Sequence, residues 1–282
     1  MAMGTNTAGE SEWTCASCGT SARGNFCWNC GERQFGPNQR RLRVLFGQLF
    51  EEVTSLDSKF ARTLRAFFLR PGFLSREHYR GARKAYMRPF TLFLLINLLY
   101  FLRAPLTDFA LPLDNQELQP YGSWVQGIIE AYLTTTGQTF EDVATRYDSV
   151  TGIVAKSIVI VGVPFLIPFV WLVNLGNRYF LIDHAVFAIH FYSFVLAWPL
   201  IFALLAGAVY NLGGPFVIES PMVAGLLLLG PMVVYLTIAQ KTMYEDPVWR
   251  AGIKAVVMSL GFVVSHFVYR LIQFWLVWWQ VT

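Results

Sequence analysis

Residues 185–210 read AVFAIHFYSFVLAWPLIFALLAGAVY and contain no Asp, Glu, Lys or Arg. A helix rises about 1.5 Å per residue, so a segment of this length crosses the roughly 30 Å hydrocarbon layer of a bilayer. Segments 154–176, 217–238 and 254–279 are also long and apolar, with one or two charged residues each. The chain is 55% hydrophobic and 14% charged, whereas soluble domains carry about 25% charged residues. The sequence therefore predicts an all-α polytopic membrane protein.

A fifth apolar segment, 89–103, decides the topology. It is short and lies between Arg88 and Arg103, so it must span with snorkelling ends, thin the bilayer or re-enter. The distribution of positive charge favours spanning, since fourteen N-terminal cations then share the cytoplasmic side with four later ones, Arg178, Lys241, Arg250 and Lys254. We expect about five spans within a membrane bundle of residues 89–282, with the N-terminus cytoplasmic and the C-terminus outside.

The predicted exterior loop, 104–153, has the opposite charge balance. It holds one cation, Arg146, against seven acids. Apolar residues in it predict a short amphipathic helix at the outer interface: Trp124, Ile128, Ile129 and Tyr132. Thr139 and Asp142 have the spacing of a capping box that opens a second helix. The tryptophans near the C-terminus predict an outer aromatic belt: Trp275, Trp278 and Trp279.

All four cysteines of the chain lie in residues 15–32, CASCGTSARGNFCWNCGE. Cys15 and Cys18 form one CxxC pair, Cys27 and Cys30 form another, and a glycine follows each pair. Two such knuckles supply four thiolates for a structural zinc ion. Disulfides or a redox pair are the alternatives. Residues 1–14 are polar, with no apolar core of a secretory signal, which favours a reducing cytosol and a zinc ribbon over 15–37, behind a disordered leader.

Residues 38–88 predict basic amphipathic helices broken at Pro71-Gly72. Their apolar stripe fits two arrangements, which the sequence leaves open. The helices lie at an anionic leaflet, or they pack on the membrane bundle with solvated cations. The candidate membrane-surface cations are Arg62, Arg65, Arg80, Arg83, Lys84 and Arg88.

Ionisable and polar residues within the spans are candidate functional groups because their burial is costly. Ser259, His266, Arg270 and Gln273 fall on one face of the last span. This stripe lines a cavity for water or a ligand, or it forms hydrogen bonds between helices.

The third span offers Asp183, His184 and His190. His184 and His190 point about 120° apart on a regular helix, which disfavours one metal between them. Asp183 and His190 share a face but lie roughly 10 Å apart along the axis, so they suit a polar path or a proton relay.

Several motifs together resemble a known family. They are Asp57-Ser-Lys59, Thr63-Leu64, Arg70-Pro71-Gly72, Tyr79-Arg-Gly81-Ala-Arg83, Tyr86, Pro89-Phe90, Arg178-Tyr179, Asp183-His184-Ala-Val-Phe187 and His190-Phe191. With the paired CxxCG knuckles, they resemble a bacterial membrane family classed as a domain of unknown function with an N-terminal zinc ribbon. The resemblance implies an inner-membrane protein and supplies no activity.

Three functions remain open. The first is a scaffold or regulatory protein whose ribbon and basic helices recruit a cytosolic protein or anionic lipid. The second is a transporter, channel or lipid-handling protein using polar residues of spans three and five. The third is an intramembrane lipid-modifying enzyme with His184, His190 or His266 as acid or base. The chain has no HExxH, GxSxG, P-loop or dinucleotide motif, which disfavours the enzyme, and the ribbon lacks the basic stripe of a nucleic-acid binder.

Overall fold

The computed structural model describes residues 12–34, 57–102, 109–211 and 221–282 of the chain. The predictions for the leader up to residue 11, for the end of the ribbon at 35–37 and for the basic region up to residue 56 lie outside the described residues. Within the described residues the fold is helical, apart from one small two-stranded sheet.

The sheet belongs to the cysteine ribbon, the name used below for residues 12–34. Strands β1 (Trp13–Thr14) and β2 (Ser21–Ala22) pair antiparallel, with Trp13 opposite Ala22 and Thr14 opposite Ser21. Trp13 Nε1 also donates to Gly24 O at 2.8 Å. Trp13 and Thr14, which were predicted to belong to the disordered leader, therefore form a strand of the ribbon.

Nine α-helices follow within the described residues. They are α1 (Asp57–Leu69), α2 (Phe73–Arg80), α3 (Pro89–Leu102), α4 (Gly122–Thr136), α5 (Phe140–Ile158), α6 (Gly162–Val173), α7 (Leu181–Asn211), α8 (Pro221–Tyr244) and α9 (Val248–Val281). The inner end of the bundle is the end at which α7 and α9 begin. The outer end is the end at which α9 finishes.

Helices α1 and α2 pack onto the bundle. Gly72, in the turn between them, has a φ of 80°, and a Cβ there would lie 2.4 Å from the carbonyl oxygen of Ala239 in α8. Glycine is therefore needed for both the turn and the close approach. Helix α2 contacts α7 and α8. Packing on the bundle is therefore observed for α1 and α2, and their position at an anionic leaflet, which is compatible with this packing, stays a prediction.

Helix α7 occupies the centre of the main core and contacts α2, α3, α6 and α8. Its first half is buried around Phe187, Phe191 and Leu196, each at most 2% exposed. Its second half exposes apolar side chains, with Leu204 48% and Leu205 58% accessible. Apolar exposure on this scale, repeated along α8 and α9, is typical of a lipid-facing surface.

Three helical segments are long and apolar enough to cross a membrane: Phe140–Val173, Leu181–Val209 and Val248–Val281. They contain three of the predicted spans and support a membrane protein. Predicted segment 89–103 corresponds to the shorter apolar helix Pro89–Leu102, and predicted span 217–238 overlaps α8. The count of five spans stays a prediction.

The first long segment changes its hydrogen-bond pattern where α5 meets α6. A 3₁₀ turn, Val159–Val161, joins them, because Pro164 cannot donate a hydrogen bond back to the preceding turn. Ser265 of α9 donates to Gly162 O at 2.6 Å. Proline in this span thus loosens the helix, and a neighbouring hydroxyl satisfies a carbonyl at the break.

A second, smaller core lies at the outer end. It joins the predicted exterior loop to the end of α9 through Val125, Ile129, Tyr147, Phe274 and Trp278. The aromatic-belt prediction therefore needs correction for Trp278, which is 6% exposed and contacts Tyr132 with ring centroids 5.4 Å apart. Trp279 is 84% exposed and remains available to an interface.

Candidate functional site

The four cysteine sulfurs converge within the cysteine ribbon. All four Sγ atoms lie within 4.8 Å of one another. The closest pairs cross between the knuckles: Cys15 to Cys30 at 3.5 Å and Cys18 to Cys27 at 3.6 Å. The thiols are free, and this arrangement can hold one metal ion.

The two knuckles share one backbone design. Gly19 N donates to Cys15 O at 2.8 Å, and Gly31 N donates to Cys27 O at 2.7 Å. Both glycines have positive φ, 74° and 66°, a conformation that turns the chain around the sulfurs at no steric cost. Hydrogen bonds with the side chain and backbone of Thr20 lower the pKa of Cys18 to about 6, whereas burial raises the pKa of Cys30, so Cys18 is the more readily ionised of these two thiols.

Glu32 connects the ribbon to the loop before α3. It is 5% exposed, and its Oε2 accepts from Ser17 Oγ at 2.6 Å and from the backbone N of Lys84 at 2.8 Å. A carboxylate that accepts from two donors holds the ribbon and the loop together strongly, because both hydrogen bonds are charge-assisted. Lys84, predicted only as a surface cation, thus also anchors the ribbon through its backbone.

The remaining predicted surface cations are divided among three environments. Arg80 pairs with Glu77 at 3.0 Å, while Arg83 and Arg88 are half-buried in the loop after α2. Arg62 and Arg65 line an open cleft of about 430 Å³ between α1 and the α2 region. The cleft also contains a cation that the prediction omitted, Arg70.

The polar residues at the start of α7 make contacts that fix the helix. Asp183 Oδ2 accepts from Phe180 N at 2.9 Å, a capping bond for the first turn. His184 Nδ1 lies 2.8 Å from the hydroxyl of Tyr244, with the two rings stacked at an interplanar angle of 13°. Asp183 therefore caps the start of α7, and His184 joins that start to the end of α8.

His190 faces α2 instead of sharing a path with Asp183. Its Nδ1 is 2.7 Å from Ser75 Oγ, and both residues are buried. The distance suits a nucleophile and its base, but the adjoining cavity, between Arg70 and Tyr235, is about 10 Å³. Such a space holds one water molecule and no larger substrate. The contact therefore acts as a hydrogen bond that joins α2 to α7.

A buried ion pair at the inner end was missed in the sequence. Lys254 Nζ lies 2.6 Å from Asp246 Oδ2 and 2.9 Å from Asn174 Oδ1. Asn174 and Asp246 are 2% and 7% exposed. Lys254 was counted only as an inner positive charge. Its eight-residue spacing from Asp246 gave no helical signal, because Pro247 separates α8 from α9.

The polar stripe of α9 bonds to the predicted exterior loop. Gln273 Nε2 donates to Phe109 O at 2.8 Å, and Arg270 donates to Gln119 Oε1 at 2.8 Å. The His266 ring packs edge-on against Phe109, with centroids 5.0 Å apart. Ser259 donates to Ala255 O within its own helix at 2.9 Å. Gln273 and Arg270 thus have partners in the loop, while Gln273 Oε1 has no hydrogen-bond partner among the described residues, so both interpretations of the stripe stay predictions. The contacts described for the stripe do not include Asp183, His184 or His190.

Comparison with known proteins identifies one matching region. A family described as "Protein of unknown function (DUF3667)" matches residues 57–101, which form α1, α2 and nearly all of α3. No curated protein and no solved structure matches the chain. The matched region is the part that packs the basic helices against α7 and α8.

Proposed function

We propose that this protein is a scaffold or regulatory protein of a bacterial inner membrane, with a structural zinc ribbon on the cytoplasmic side that recruits a cytosolic protein partner. The observation that carries the proposal is the four-sulfur cluster on a module tied to the membrane-proximal loop by Glu32. A ribbon held in this way presents a fixed surface beside the bilayer.

The spacing of the four sulfurs is compatible with a tetrahedral zinc ion. Four thiolates around zinc, with bonds of about 2.3 Å, place tetrahedral sulfurs about 3.8 Å apart. The two closest pairs of sulfurs, at 3.5 and 3.6 Å, are near that value. Zinc prefers closed four-thiolate sites in structural roles, and the family resemblance points the same way.

The ribbon surface supports a docking role. Trp28 is 77% exposed and Phe26 57% exposed, with the Arg33 guanidinium carbon 5.7 Å from the centre of the Phe26 ring. Exposed aromatic rings beside an arginine are the residue types enriched at the centres of protein interfaces. The partner that suits this surface is a soluble protein with an apolar pocket for an indole ring.

The contacts within the bundle weigh against the transport and enzyme alternatives. Both histidines of α7 are occupied by side-chain partners, Tyr244 and Ser75. Gln273 and Arg270 bond to the loop at the outer end. The two histidines thus join helices and the two α9 residues bond to the loop, and the cavity beside His190 is too small for a transported solute.

Photo-crosslinking in intact cells tests the proposal. A photoreactive amino acid replaces Trp28 in the full-length chain, and a matched variant carries it at Trp249, which is 66% exposed at the inner end of α9. We expect a soluble protein to crosslink from position 28 alone and to be lost when Cys15→Ser and Cys27→Ser are added. Identical products from both positions would contradict the proposal, as would crosslinks to lipid alone.

A further inference from the structure

The cleft between α1 and the α2 region combines positive charge with aromatic walls. Arg62, Arg65 and Arg70 line it, together with Phe73 and Tyr86. The Phe73 and Tyr86 rings meet edge to face with centroids 5.7 Å apart. The Arg70 guanidinium carbon lies 5.7 Å from the Phe73 ring centre, which holds one cation at the wall.

The cations of the cleft are available to a ligand. All three arginines are exposed, and within the described residues none of them forms an ion pair with an acid. Arg62 makes one long hydrogen bond, 3.4 Å, to Ala85 O. Guanidinium groups bind phosphate through paired N–H donors, so three of them in one cleft select a phosphate-bearing anion.

The position of the cleft points to a membrane lipid as the source of that phosphate. Tyr86 lies three residues before Pro89, where the apolar helix α3 begins, and tyrosine is enriched at the head-group level. Leu69 lines the same cleft and is 70% exposed. An apolar side chain next to three cations matches a lipid, whose glycerol and acyl portions adjoin its phosphate.

We propose that this cleft binds the phosphate head group of an anionic phospholipid, with Arg62, Arg65 and Arg70 as its ligands. The inference rests on the proposed function only in placing α1 and α2 at the inner face of a membrane. It adds a defined lipid site, which includes Arg70 and does not involve the ribbon. A lipid bound there would hold the turn at Gly72 against α8.

Native mass spectrometry of the detergent-extracted full-length protein, mixed with equal amounts of phosphatidylglycerol and phosphatidylcholine, tests the site. The wild type is expected to retain phosphatidylglycerol selectively. Each cation at a membrane surface contributes roughly fivefold to anionic-lipid binding. The R62Q/R65Q/R70Q variant should therefore lose about a hundredfold in phosphatidylglycerol affinity.

The matched control removes three exposed cations elsewhere at the inner end: R178Q/K241Q/R250Q. It should retain the lipid. The single variant Arg65→Gln is a control in case the triple variant misfolds, and its affinity for phosphatidylglycerol should fall about fivefold. Cys15→Ser with Cys27→Ser should leave lipid retention unchanged, which separates failure of the ribbon proposal from failure of this one.

Three results would overturn the inference. Equal retention of the two lipids by the wild type would show that the cleft does not select anionic lipid. Equal losses in the two triple variants would show a general charge effect. If inorganic phosphate alone stabilised the protein to heat as much as phosphatidylglycerol did, and this required the three arginines, the ligand would be a soluble anion.

Discussion

The polar side chains at the two ends of the bundle have different partners. At the outer end, Arg270 and Gln273 are buried and donate to Gln119 and to a backbone carbonyl of the facing loop. At the inner end, Arg62, Arg65 and Arg70 line an open cleft and have no acidic partner within the described residues. Arg270 and Gln273 at the outer end therefore each have a partner in the facing loop, whereas the exposed arginines of the inner cleft remain accessible to a ligand.

The largest expected effect concerns the inner end, where metal should hold the ribbon. In Cys15→Ser with Cys27→Ser, native mass spectrometry should show loss of one zinc ion per chain, because two of its four ligands are removed. The effect is expected to be large because structural zinc contributes about 10 kcal/mol or more to the folding of such sites. The matched variant Ser21→Ala should keep the ion. A double variant that retained zinc would contradict the assignment of the four cysteines as zinc ligands.

Glycine substitutions test how α1 and α2 are held. Gly72→Ala places a Cβ 2.4 Å from Ala239 O, whereas Gly137→Ala, with a similar φ of 68°, meets open space. Both variants incur backbone strain of about 1 kcal/mol, and the overlap at residue 72 should cost about 1–3 kcal/mol more. Thermal unfolding in detergent should show a larger drop in Tm for Gly72→Ala. Equal drops would mean that the turn does not pack on α8.

Substitution of two glutamines of α9, one in the outer stripe and one outside it, tests the role of the stripe. Gln273→Leu removes the shorter of the two hydrogen bonds to the buried carbonyl of Phe109 and leaves only the 3.3 Å bond from the Tyr269 hydroxyl, so the free energy of unfolding should fall by about 0.5–1.5 kcal/mol. Gln280→Leu removes a side chain whose hydrogen bond is exposed and within its own helix, and it should change the unfolding temperature little. A stable Gln273→Leu protein would argue that the stripe serves a ligand.

The smallest effect is a pH dependence from His78 on α2. Burial, and then the charges of Arg83 and His190, hold the pKa of His78 well below its ordinary value of 6.5. The unfolded chain therefore binds a proton near pH 6 that the folded chain does not, so stability falls as pH decreases below about 6.5. His78→Gln should reduce this loss, measured as Tm at about pH 7.5 and pH 5.5. An unchanged pH dependence would show that His78 is not the group responsible.

Local patterns in the sequence predicted the ribbon and most helices because each depends on neighbouring residues. The CxxCG spacing determines each knuckle, and a long uncharged run determines α7. Contacts between distant segments were not predictable. His190 meets Ser75 because α2 packs on α7, and Lys254 meets Asn174 because α9 packs on α6. The spacing of residues within one helix does not predict which helices pack together. The inward face of the α9 stripe was predictable, but its partner loop was not.

The most direct test of the central claim is one set of native mass spectra in which the wild type is compared with Arg270→Ala. The central claim is that ligands bind at the inner end, while the outer polar stripe is structural. We expect both proteins to carry one zinc ion and one anionic lipid. A wild type that carries a small molecule, and an Arg270→Ala variant that is folded, retains zinc and lacks that molecule, would contradict it and support a transport or lipid-handling function for the stripe.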